Sequence, residues 1–293
     1  MMKTFIDLHT HSLRSDGAYT PEELCIKAID AGIKILAITD HNYTEDLSSL
    51  RKQFPKINLI QGCEISCMYT NTLNEEIEIH VIGLGFDPNH PKIQSLLAKN
   101  DPDLVTYIHA ILERLRECKI DLGSYEDIQK RCPNSRKIGR SNVAKCMVDM
   151  GYVASVDEAL DVYIGSYGEK RAYVPKDIQY VSIEEAISAI IEAGGVAVLA
   201  HLYYYGMSEH ENDILVKRFK ELSGSHGGME VYYGIYTNQQ REILKQIADK
   251  YQLMYSAASD YHGQRQRDCL DNRFLSTDCQ ELLKHLGFGK EWI

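Results

Sequence analysis

The sequence lacks the features of a membrane-spanning or exported protein. Its longest uninterrupted apolar run is Val196 to Ala200, far below the ~20 residues that a spanning helix needs. Near the start of the chain, Asp7, His9 and His11 interrupt any apolar core of a signal peptide. We therefore expect a cytoplasmic protein with no membrane segment.

Basic residues are also fewer than acidic residues. The chain has 32 Lys and Arg residues against 42 Asp and Glu residues, so its formal net charge is −10 at pH 7. An acidic surface of this kind argues against a general nucleic-acid coat, double-stranded DNA binding included, and against a membrane-surface binder. A local basic patch remains compatible with this balance.

Cysteine pairs of the CxxC type are absent, although the chain has 8 cysteines. Their scatter through a long chain is typical of reduced, mostly buried thiols. Cys63 and Cys67 flank Glu64 and resemble a metal pair, but we interpret them as buried thiols as well. The cysteine pattern therefore also favours a reducing compartment.

The chain of 293 residues is long enough for one large α/β body, and both of its ends alternate strands with helices. Thr20 and Ser182 each begin a helix with a capping box, completed by Glu23 and Glu185. The predicted strands are 4–8, 35–38, 57–60, 77–84, 196–200, 229–231 and 253–257. This spacing predicts parallel strands joined by helical crossovers.

The middle of the chain has a different pattern. Residues 100–176 contain helical periodicity and few strand signals, with the clearest helices at 141–150 and 155–163. We interpret this segment as a helical insertion on a barrel-like α/β body formed by residues 1–99 and 177–293.

Histidines and carboxylates follow the predicted strands. In parallel α/β barrels the active site lies at the carboxyl ends of the strands, so these side chains should converge. A lone histidine at a strand end is usually a core or surface residue, but six of the eleven histidines share this placement. The set is His9, His11, Asp16, Asp40, His41, Glu64, His80, His201, Asp260 and His262. Together they predict a metal centre.

The segments that carry these residues resemble the PHP family, named for polymerase-associated and histidinol phosphatase domains. They are Asp7–Ser12, Ser15–Gly17, Thr39–His41, Gly62–Glu64, Ala200–His201 and Ser259–Gly263, and they span nearly the whole chain. The resemblance implies an α/β fold, a distorted (β/α)7 barrel, and usually three divalent metal ions.

The resemblance also implies a ligand set, carried over position by position. One ion would take His9, His11, Glu64 and Asp260; a second would share Glu64 and add His80 and His201; a third would take Asp16, His41 and His262. Asp40 would orient His41, as metal-ligating histidines usually need such a partner. Mn²⁺ is favoured by the resemblance, while Fe²⁺ and Zn²⁺ also suit ligands of this type.

Such a site predicts hydrolysis of a phosphate ester. Water held between two ions would become hydroxide near neutral pH and attack phosphorus, while the third ion neutralises phosphoryl charge. No side-chain nucleophile is required. The general acid stays open between metal-bound water and His201, so the candidate catalytic residues are His201 and Asp40.

The insertion carries a local reversal of charge. Six basic residues and no acidic residue lie between Lys130 and Lys145. Arg140 and Ser141 open a helix whose backbone N–H groups suit a phosphate, and Lys170 and Arg171 could extend the patch. The alternative interpretation is a solvated basic face beside an ordinary helix cap.

Two insertion segments, Gly139–Ser141 and Ala172–Pro175, resemble the family branch that hydrolyses nucleoside 3′,5′-bisphosphates and short 5′-phosphorylated RNA. In that branch the insertion holds a second phosphate. The chain departs from the branch at Asn142, where His is frequent, and at Leu202, where Pro is frequent. We therefore expect a substrate that is a small nucleotide or a short RNA.

Three alternatives stay open at this stage. A histidinol-phosphate-type phosphatase would share the metal site, although a monoester needs no second phosphate clamp. An amidohydrolase-like C–N hydrolase would use a similar His/Asp site to activate water on carbon. A non-catalytic module would use the metals for structure alone, although a structural site needs only one closed centre of four ligands. The sequence does not indicate the oligomeric state.

Tyrosines near the predicted strand ends offer a platform for a nucleobase. Tyr203, Tyr204 and Tyr205 follow His201 directly, and Tyr232 and Tyr233 end a strand. Packing of these rings against the rim of the barrel is the plainer interpretation.

Overall fold

The computed structural model describes residues 4–101, 103–166, 168–175, 178–264, 269–270 and 273–292. The strands are β1 (Phe5–Asp7), β2 (Ile33–Ile38), β3 (Asn58–Thr70), β4 (Glu76–Leu84), β5 (Val181–Ser182), β6 (Val196–Leu199), β7 (Gly227–Tyr233) and β8 (Met254–Ala258). The helices are α1 (Pro21–Asp30), α2 (Ser48–Gln53), α3 (Pro91–Lys99), α4 (Val105–Glu117), α5 (Tyr125–Arg131), α6 (Arg140–Asp149), α7 (Val156–Glu158), α8 (Ile183–Glu192), α9 (Glu209–Ser223), α10 (Asn238–Tyr251) and α11 (Gln280–His285). The predicted boundary at residues 176 and 177 lies outside the described residues.

The sheet is a distorted barrel, as predicted. Seven strands follow the order β1-β2-β3-β4-β6-β7-β8, and β5 pairs with β3 off this path. The backbone N–H of Leu8 donates to the carbonyl of Ala257 over 2.9 Å, which joins the end of β1 to β8. The seven-strand path therefore closes on itself, and its two terminal strands share one edge of the site.

The expectation of parallel strands throughout is wrong for β4. This strand is antiparallel to both of its neighbours, β3 and β6. A parallel connection needs a crossover of a dozen or more residues, whereas only residues 71–75 separate β3 from β4. The side-chain oxygen of Asn71 accepts hydrogen bonds from the N–H groups of Leu73 and Glu75, at 3.0 and 2.8 Å, and so builds the tight turn.

Helices cover the outside of the barrel. The predicted capping boxes at Thr20 and Ser182 are both present, at the starts of α1 and α8. Ile187 and Ile190 of α8 are buried in one hydrophobic cluster with Val81 of β4 and Ala197 of β6. No helix in the described ranges combines the length and the apolarity that crossing a bilayer requires.

The helices α4 to α7, which lie between β4 and β5, bury a cluster of their own. Its members lie between Ile108 and Ala172 and include Leu112, Ile128 and Met147. A π-helical turn, Ala159–Ile164, continues α7 within this cluster. The amino terminus of α6 faces the barrel, and this brings the insertion to the site described next.

Candidate metal centre

Nine side chains converge at one end of the barrel. They are the predicted ligands His9, His11, Asp16, His41, Glu64, His80, His201, Asp260 and His262. Eight of them form three overlapping groups of close ligand atoms, and the ninth, His201, contacts Glu64. Seven of the nine line a cavity of about 640 Å³, while His9 and His11 lie behind its wall and are fully buried. The strand ends and the antiparallel hairpin therefore supply one common site.

The first group contains His9, His11, Glu64 and Asp260, the same residues as the first predicted ion site. Oε2 of Glu64 lies 3.3 Å from Nε2 of His9 and 3.2 Å from Nε2 of His11. Oδ1 of Asp260 lies 3.3 and 3.1 Å from the same two nitrogens. Ligand atoms that surround one ion at ~2.1 Å lie about 3 Å apart, so these distances fit a shared cation.

The second group brings Asp16, His41 and His262 together, as expected for the third predicted ion, and adds His11. Oδ1 of Asp16 lies 3.2 Å from Nε2 of His262 and 3.8 Å from Nε2 of His41. The other ring nitrogen of His11, Nδ1, also lies 3.8 Å from this oxygen. His11 therefore faces two of the groups, one through each nitrogen.

The third group differs in part from the prediction. It contains Glu64, His80 and His41, whereas the prediction named Glu64, His80 and His201. Oε1 of Glu64 lies 2.7 Å from Nδ1 of His80 and 3.0 Å from Nε2 of His201, so His201 contacts the same carboxylate. Nδ1 of His41 lies 2.9 Å from the other oxygen, Oε2. His41 and Glu64 also pair through a parallel β-bridge. This backbone pairing places the imidazole of His41 beside the carboxylate of Glu64.

The electrostatics of the cluster depend on burial opposed by neighbouring charges. Burial raises the pKa of Glu64, but the histidines beside it, led by His41 and His80, hold that pKa well below its usual range. The pKa values of Asp16 and Asp260 are also well below normal because nearby histidines outweigh the effect of burial. Three ionised carboxylates are thus held together in a buried site.

His9 and His80 respond in the opposite sense. Burial lowers the pKa of His9, yet Glu64, Glu230 and Asp260 raise it well above its usual value. For His80, burial again opposes and Glu64 raises the pKa to about 9. At His41, in contrast, burial outweighs Glu64 and Asp16 and lowers the pKa. The carboxylates of the cluster therefore favour positive charge beside His9 and His80 but not on every imidazole.

Buried atoms without hydrogen bonds test the fit of a divalent ion. Among the described residues, Oδ1 of Asp16, Oε2 of Glu64 and Nδ1 of His201 are buried and have no hydrogen-bond partner. Two of these atoms are the oxygens that the imidazole nitrogens surround. Histidine nitrogens and carboxylate oxygens together suit Mn, Fe or Zn better than Mg or Ca. The residues present therefore fit transition-metal ions.

Backbone strain accompanies the ligands that end β6 and β8. His201 has φ 22° and ψ 57°, and Asp260 has φ 55°, in a region that residues other than glycine rarely adopt. The N–H of Asp260 donates to the carbonyl of His9 over 3.0 Å, and this bond holds the two ligand-bearing strand ends together. Strain of this kind is common where the fold fixes a functional side chain.

The sequence interpretation missed three residues that support the ligands. Glu230 accepts from Nδ1 of His9 over 2.7 Å, and the hydroxyl of Tyr233 donates to Oδ2 of Asp260 over 2.6 Å. The hydroxyl of Tyr205 accepts from the N–H of His80 over 3.0 Å. Glu230 had a visible signal, since it is an acidic residue within an otherwise apolar strand.

Asp40 has a different role from the one predicted. Its carboxylate accepts from the N–H and the hydroxyl of Ser12, at 2.8 and 2.7 Å, and from the hydroxyl of Ser15, at 2.6 Å. It therefore shapes the loop after β1, which carries Asp16, and does not orient His41. The reason is geometric, because the two ring nitrogens of His41 face Glu64 and Asp16.

The predicted substrate residues divide into two pairs. Arg140 and Ser141 line the cavity at the start of α6. Lys170 and Arg171, in contrast, are exposed and do not contribute to the cavity wall. Lys170 lies over the ring of Tyr173, at 5.4 Å, and Arg171 pairs with Glu169 over 2.7 Å. Their side chains are directed along the surface of the insertion, and their place in the patch stays a prediction.

Ser141 contacts the candidate metal cluster itself. Its hydroxyl donates to Oδ2 of Asp16 over 3.0 Å. The neighbouring Asn142, where the resembling branch often has His, turns its side chain inward and accepts from the N–H of Gly139 over 2.9 Å. Asn142 thereby completes the start of α6.

Aromatic side chains form part of the cavity wall. They are Tyr107, Tyr173, Tyr180, Tyr204 and Tyr205. Tyr203, from the same run, packs against Tyr236 with ring centroids 5.3 Å apart. Cys63 and Cys67 are free, fully buried thiols whose pKa values are raised by burial, as the interpretation of buried thiols requires.

Comparison with known proteins agrees with this geometry. The family description "PHP domain" matches residues 7–256. The 5′-3′ exoribonuclease Rnm of Escherichia coli K12 is 34% identical over 260 residues, which cover 87% of this chain and 84% of that protein. A 3′,5′-nucleoside bisphosphate phosphatase of Chromobacterium violaceum is 30% identical over 294 residues and covers 96% of both chains.

A solved structure from Chromobacterium violaceum, described as an amidohydrolase with bound sulfate and no metal, superposes with a TM-score of 0.81. It is 28% identical and covers 97% of this chain and 96% of its own. The family match spans most of the chain, and it includes all of the candidate ligands except Asp260 and His262, which follow its end. This chain belongs to the PHP domain family.

Proposed function

We propose that this protein hydrolyses phosphate monoesters of small nucleotides, with a nucleoside 3′,5′-bisphosphate or a short 5′-phosphorylated RNA as substrate. It is a phosphoesterase, as are the exoribonuclease and the bisphosphate phosphatase that it resembles. One observation carries the choice of substrate. The cavity is lined both by members of the metal-ligand cluster and by Arg140, an arginine that has no ion-pair partner among the described residues.

The chemistry of the reacting phosphate depends on the metal site. Three divalent ions, with Mn²⁺ favoured and Fe²⁺ or Zn²⁺ as alternatives, would supply an acidified water as nucleophile and neutralise charge on the phosphoryl oxygens. His9, His11, Glu64 and Asp260 would hold one ion; Glu64, His80, His41 and His201 would surround another; and Asp16, His41, His262 and His11 would hold the third.

His201 is the candidate proton donor among the side chains of the cavity wall. Its Nε2 lies 3.0 Å from Glu64, while Nδ1 has no hydrogen bond within the described part of the chain. It lies beside the ring of Tyr204, with centroids 5.4 Å apart. An imidazole in the wall of the cavity is a side chain suited to passing a proton to a leaving oxygen near neutral pH.

Arg140 supports a second phosphate. Four cationic side chains line the cavity, and three of them are engaged: Arg14 with Glu45, and Arg136 and Lys137 with Asp101. Arg140 has no ion-pair partner among the described residues, and it begins α6, where backbone N–H groups also favour an anion. We therefore assign the insertion, predicted at 100–176, the function of a phosphate clamp.

The cysteines and the net charge bear on the compartment and the partners. Seven cysteines are free thiols, namely Cys25, Cys63, Cys67, Cys118, Cys132, Cys146 and Cys279, and this supports a reducing compartment, so we propose a cytoplasmic location. The net charge of −10 favours a small anionic substrate delivered to one local positive site over a long double-stranded DNA.

The test is phosphate release from adenosine 3′,5′-bisphosphate with Mn²⁺, measured beside AMP, histidinol phosphate and a short 5′-phosphorylated RNA. Preference for the bisphosphate or the RNA supports the proposal. Preference for histidinol phosphate would retain the metal site and reject the nucleotide. A His262→Ala variant serves as the inactive control, since it removes one candidate ligand.

One observation favours a second candidate, a C–N hydrolase. The superposing structure from Chromobacterium violaceum is described as an amidohydrolase. A buried cluster of imidazoles and carboxylates can activate water toward a carbonyl carbon as well as toward phosphorus. Turnover of amides or amidines, with no phosphate released from any of the four phosphate substrates, would select this candidate.

A further inference from the structure

Glu230 joins two candidate ligands that come from different strands. It lies within β7 with 1% of its surface exposed, and both of its carboxylate oxygens are used. Oε1 accepts from Nδ1 of His9 over 2.7 Å, and Oε2 accepts from the backbone N–H of His201 over 2.7 Å. His9 is its one ion-pair partner among the described residues. A buried carboxylate with these two partners is an energetically demanding arrangement.

A β-bulge directs Glu230 into the site. The pairing of β7 with β8 shifts register between Glu230 and Tyr232, so Val231 is the extra residue. In a regular strand, residues three apart face opposite sides of the sheet. The bulge instead lets both Glu230 and Tyr233 reach candidate ligands, His9 and Asp260. Bulges commonly re-aim side chains next to active sites.

The bond to His9 fixes which ring nitrogen carries hydrogen. A carboxylate accepts hydrogen bonds and cannot donate them when ionised, so Nδ1 of His9 holds the proton. Nε2, which lies 3.3 Å from both Glu64 and Asp260, is then the ring nitrogen that faces the candidate ion site. A divalent ion requires this unprotonated nitrogen.

The bond to His201 acts on the backbone. His201 has φ 22°, a strained conformation for a residue other than glycine. The N–H of His201 donates to Glu230, and the carbonyl of His201 accepts from the N–H of Tyr204 over 2.8 Å. These two bonds fix the peptide groups on both sides of the strained residue. The ring of His201 consequently reaches Oε1 of Glu64.

We propose that Glu230 is a positioning residue that orients the ring of His9 and the backbone of His201, and through them two separate metal positions. This role rests on the proposed metal-dependent function. It concerns the affinity for metal and not the identity of the substrate.

The test is Glu230→Gln in the full chain. Both partners of Glu230 are donors, and glutamine offers one acceptor oxygen where glutamate offers two. If the amide NH₂ faces His9, its hydrogen bond selects the tautomer with hydrogen on Nε2, which cannot bind metal. If it faces His201, two N–H groups oppose each other. Loss of such a partner typically weakens metal affinity by about 10–100-fold.

The control is Glu211→Gln. Glu211 is also buried, and its carboxylate also accepts two hydrogen bonds, from the N–H and the hydroxyl of Thr72, but it does not line the cavity. Mn²⁺ titrations followed by electron paramagnetic resonance should show weaker binding for Glu230→Gln alone. Equal Mn²⁺ affinity in wild type and Glu230→Gln, with both folded by circular dichroism, would overturn the proposal.

A second measurement covers the case in which Glu230→Gln does not fold. Long-range ¹H–¹⁵N spectra of the wild-type protein loaded with Zn²⁺ report the tautomer of His9. Hydrogen on Nδ1 agrees with the proposal, and hydrogen on Nε2 would overturn it. Neither measurement uses a phosphate substrate, so a failed phosphatase assay and a failed positioning role are told apart.

Discussion

The hydroxyl of Ser141, on the insertion, donates a 3.0 Å hydrogen bond to Oδ2 of Asp16, on the loop after β1. The other oxygen of Asp16, Oδ1, faces the nitrogens of three histidines. One carboxylate therefore contacts both the candidate metal cluster and the helix that carries Arg140. Asp16 therefore takes part both in the docking of the insertion and in the binding of metal.

Ser141→Ala should weaken metal binding at the Asp16 group several-fold, because Asp16 loses the partner that holds its orientation. The cost in stability should be about 1 kcal/mol, the usual net value of one hydrogen bond. Mn²⁺ titration and urea unfolding measure the two effects. Ser155→Ala, which removes a helix cap elsewhere in the insertion, is the matched control. Equal metal affinities in the two variants would contradict the coupling.

Asp16→Asn and His262→Ala should each lower the content of bound divalent ions by one. Both residues belong to the group that contains His11 and His41. Turnover should fall by about 10²–10³-fold, since an electrostatic stabiliser of the transition state is lost. Inductively coupled plasma mass spectrometry counts the ions. His210→Ala, an exposed histidine on α9, should change neither quantity.

Arg140→Ala should raise KM for adenosine 3′,5′-bisphosphate about tenfold or more, because a charge-assisted hydrogen bond contributes about 1.5–3 kcal/mol. The KM for AMP should change much less, since AMP has no second phosphate for the clamp. Arg171→Ala is the control, because Arg171 is paired with Glu169 outside the cavity. Similar increases for both substrates would argue against the clamp.

Removal of metal should destabilise the protein. Ions that bind only the folded state at 100 times Kd contribute about 2.7 kcal/mol. For a chain of 293 residues, that contribution raises Tm by about 4 °C for each ion. Thermal unfolding with EDTA, Mn²⁺ or Ca²⁺ checks the prediction, and Ca²⁺ should have the weaker effect, since imidazole ligands suit it poorly. A Tm that is the same in EDTA and Mn²⁺ would contradict the metal assignment.

Gly17→Ala should destabilise the protein by about 1–3 kcal/mol and weaken metal binding. A Cβ at this position would overlap the carbonyl group of His11, which is backbone and cannot move aside as a flexible side chain would. The loop that carries Asp16 would have to shift. Gly139→Ala is the control, because a Cβ there has open space around it and φ is −122°. Urea unfolding and Mn²⁺ titration compare the two variants.

The residues of the metal cluster were predictable from the sequence because they follow apolar strands in a fixed order. The first group, His9, His11, Glu64 and Asp260, comes together as predicted. The position of His41 was harder to predict, since its two nitrogens serve two groups. That arrangement depends on ring orientation, and no spacing along the chain encodes it.

The contacts of Asp40, Lys170 and Arg171 also differ from those expected, and side-chain orientation is again the physical cause. Asp40 precedes His41, but its carboxylate turns back to the serines of the loop after β1. Lys170 and Arg171 are basic and close to a family-like segment, yet their side chains extend along the surface, where Tyr173 and Glu169 provide partners. Sequence position gives the neighbourhood of a side chain, whereas its direction depends on tertiary packing.

The antiparallel strand β4 has a further consequence. His80 lies opposite Ser66 in the ladder with β3, so strand pairing sets its height in the barrel. A slip of one residue would turn His80 to the opposite face, and a slip of two would displace it by about 6.8 Å along the strand. The turn at residues 71–75 joins the last pair of this ladder, Thr70 with Glu76, and the length of a hairpin loop helps to set the register. A change in its length among homologues or designed variants is therefore compatible with the metal site only where the His80–Ser66 pair stays aligned.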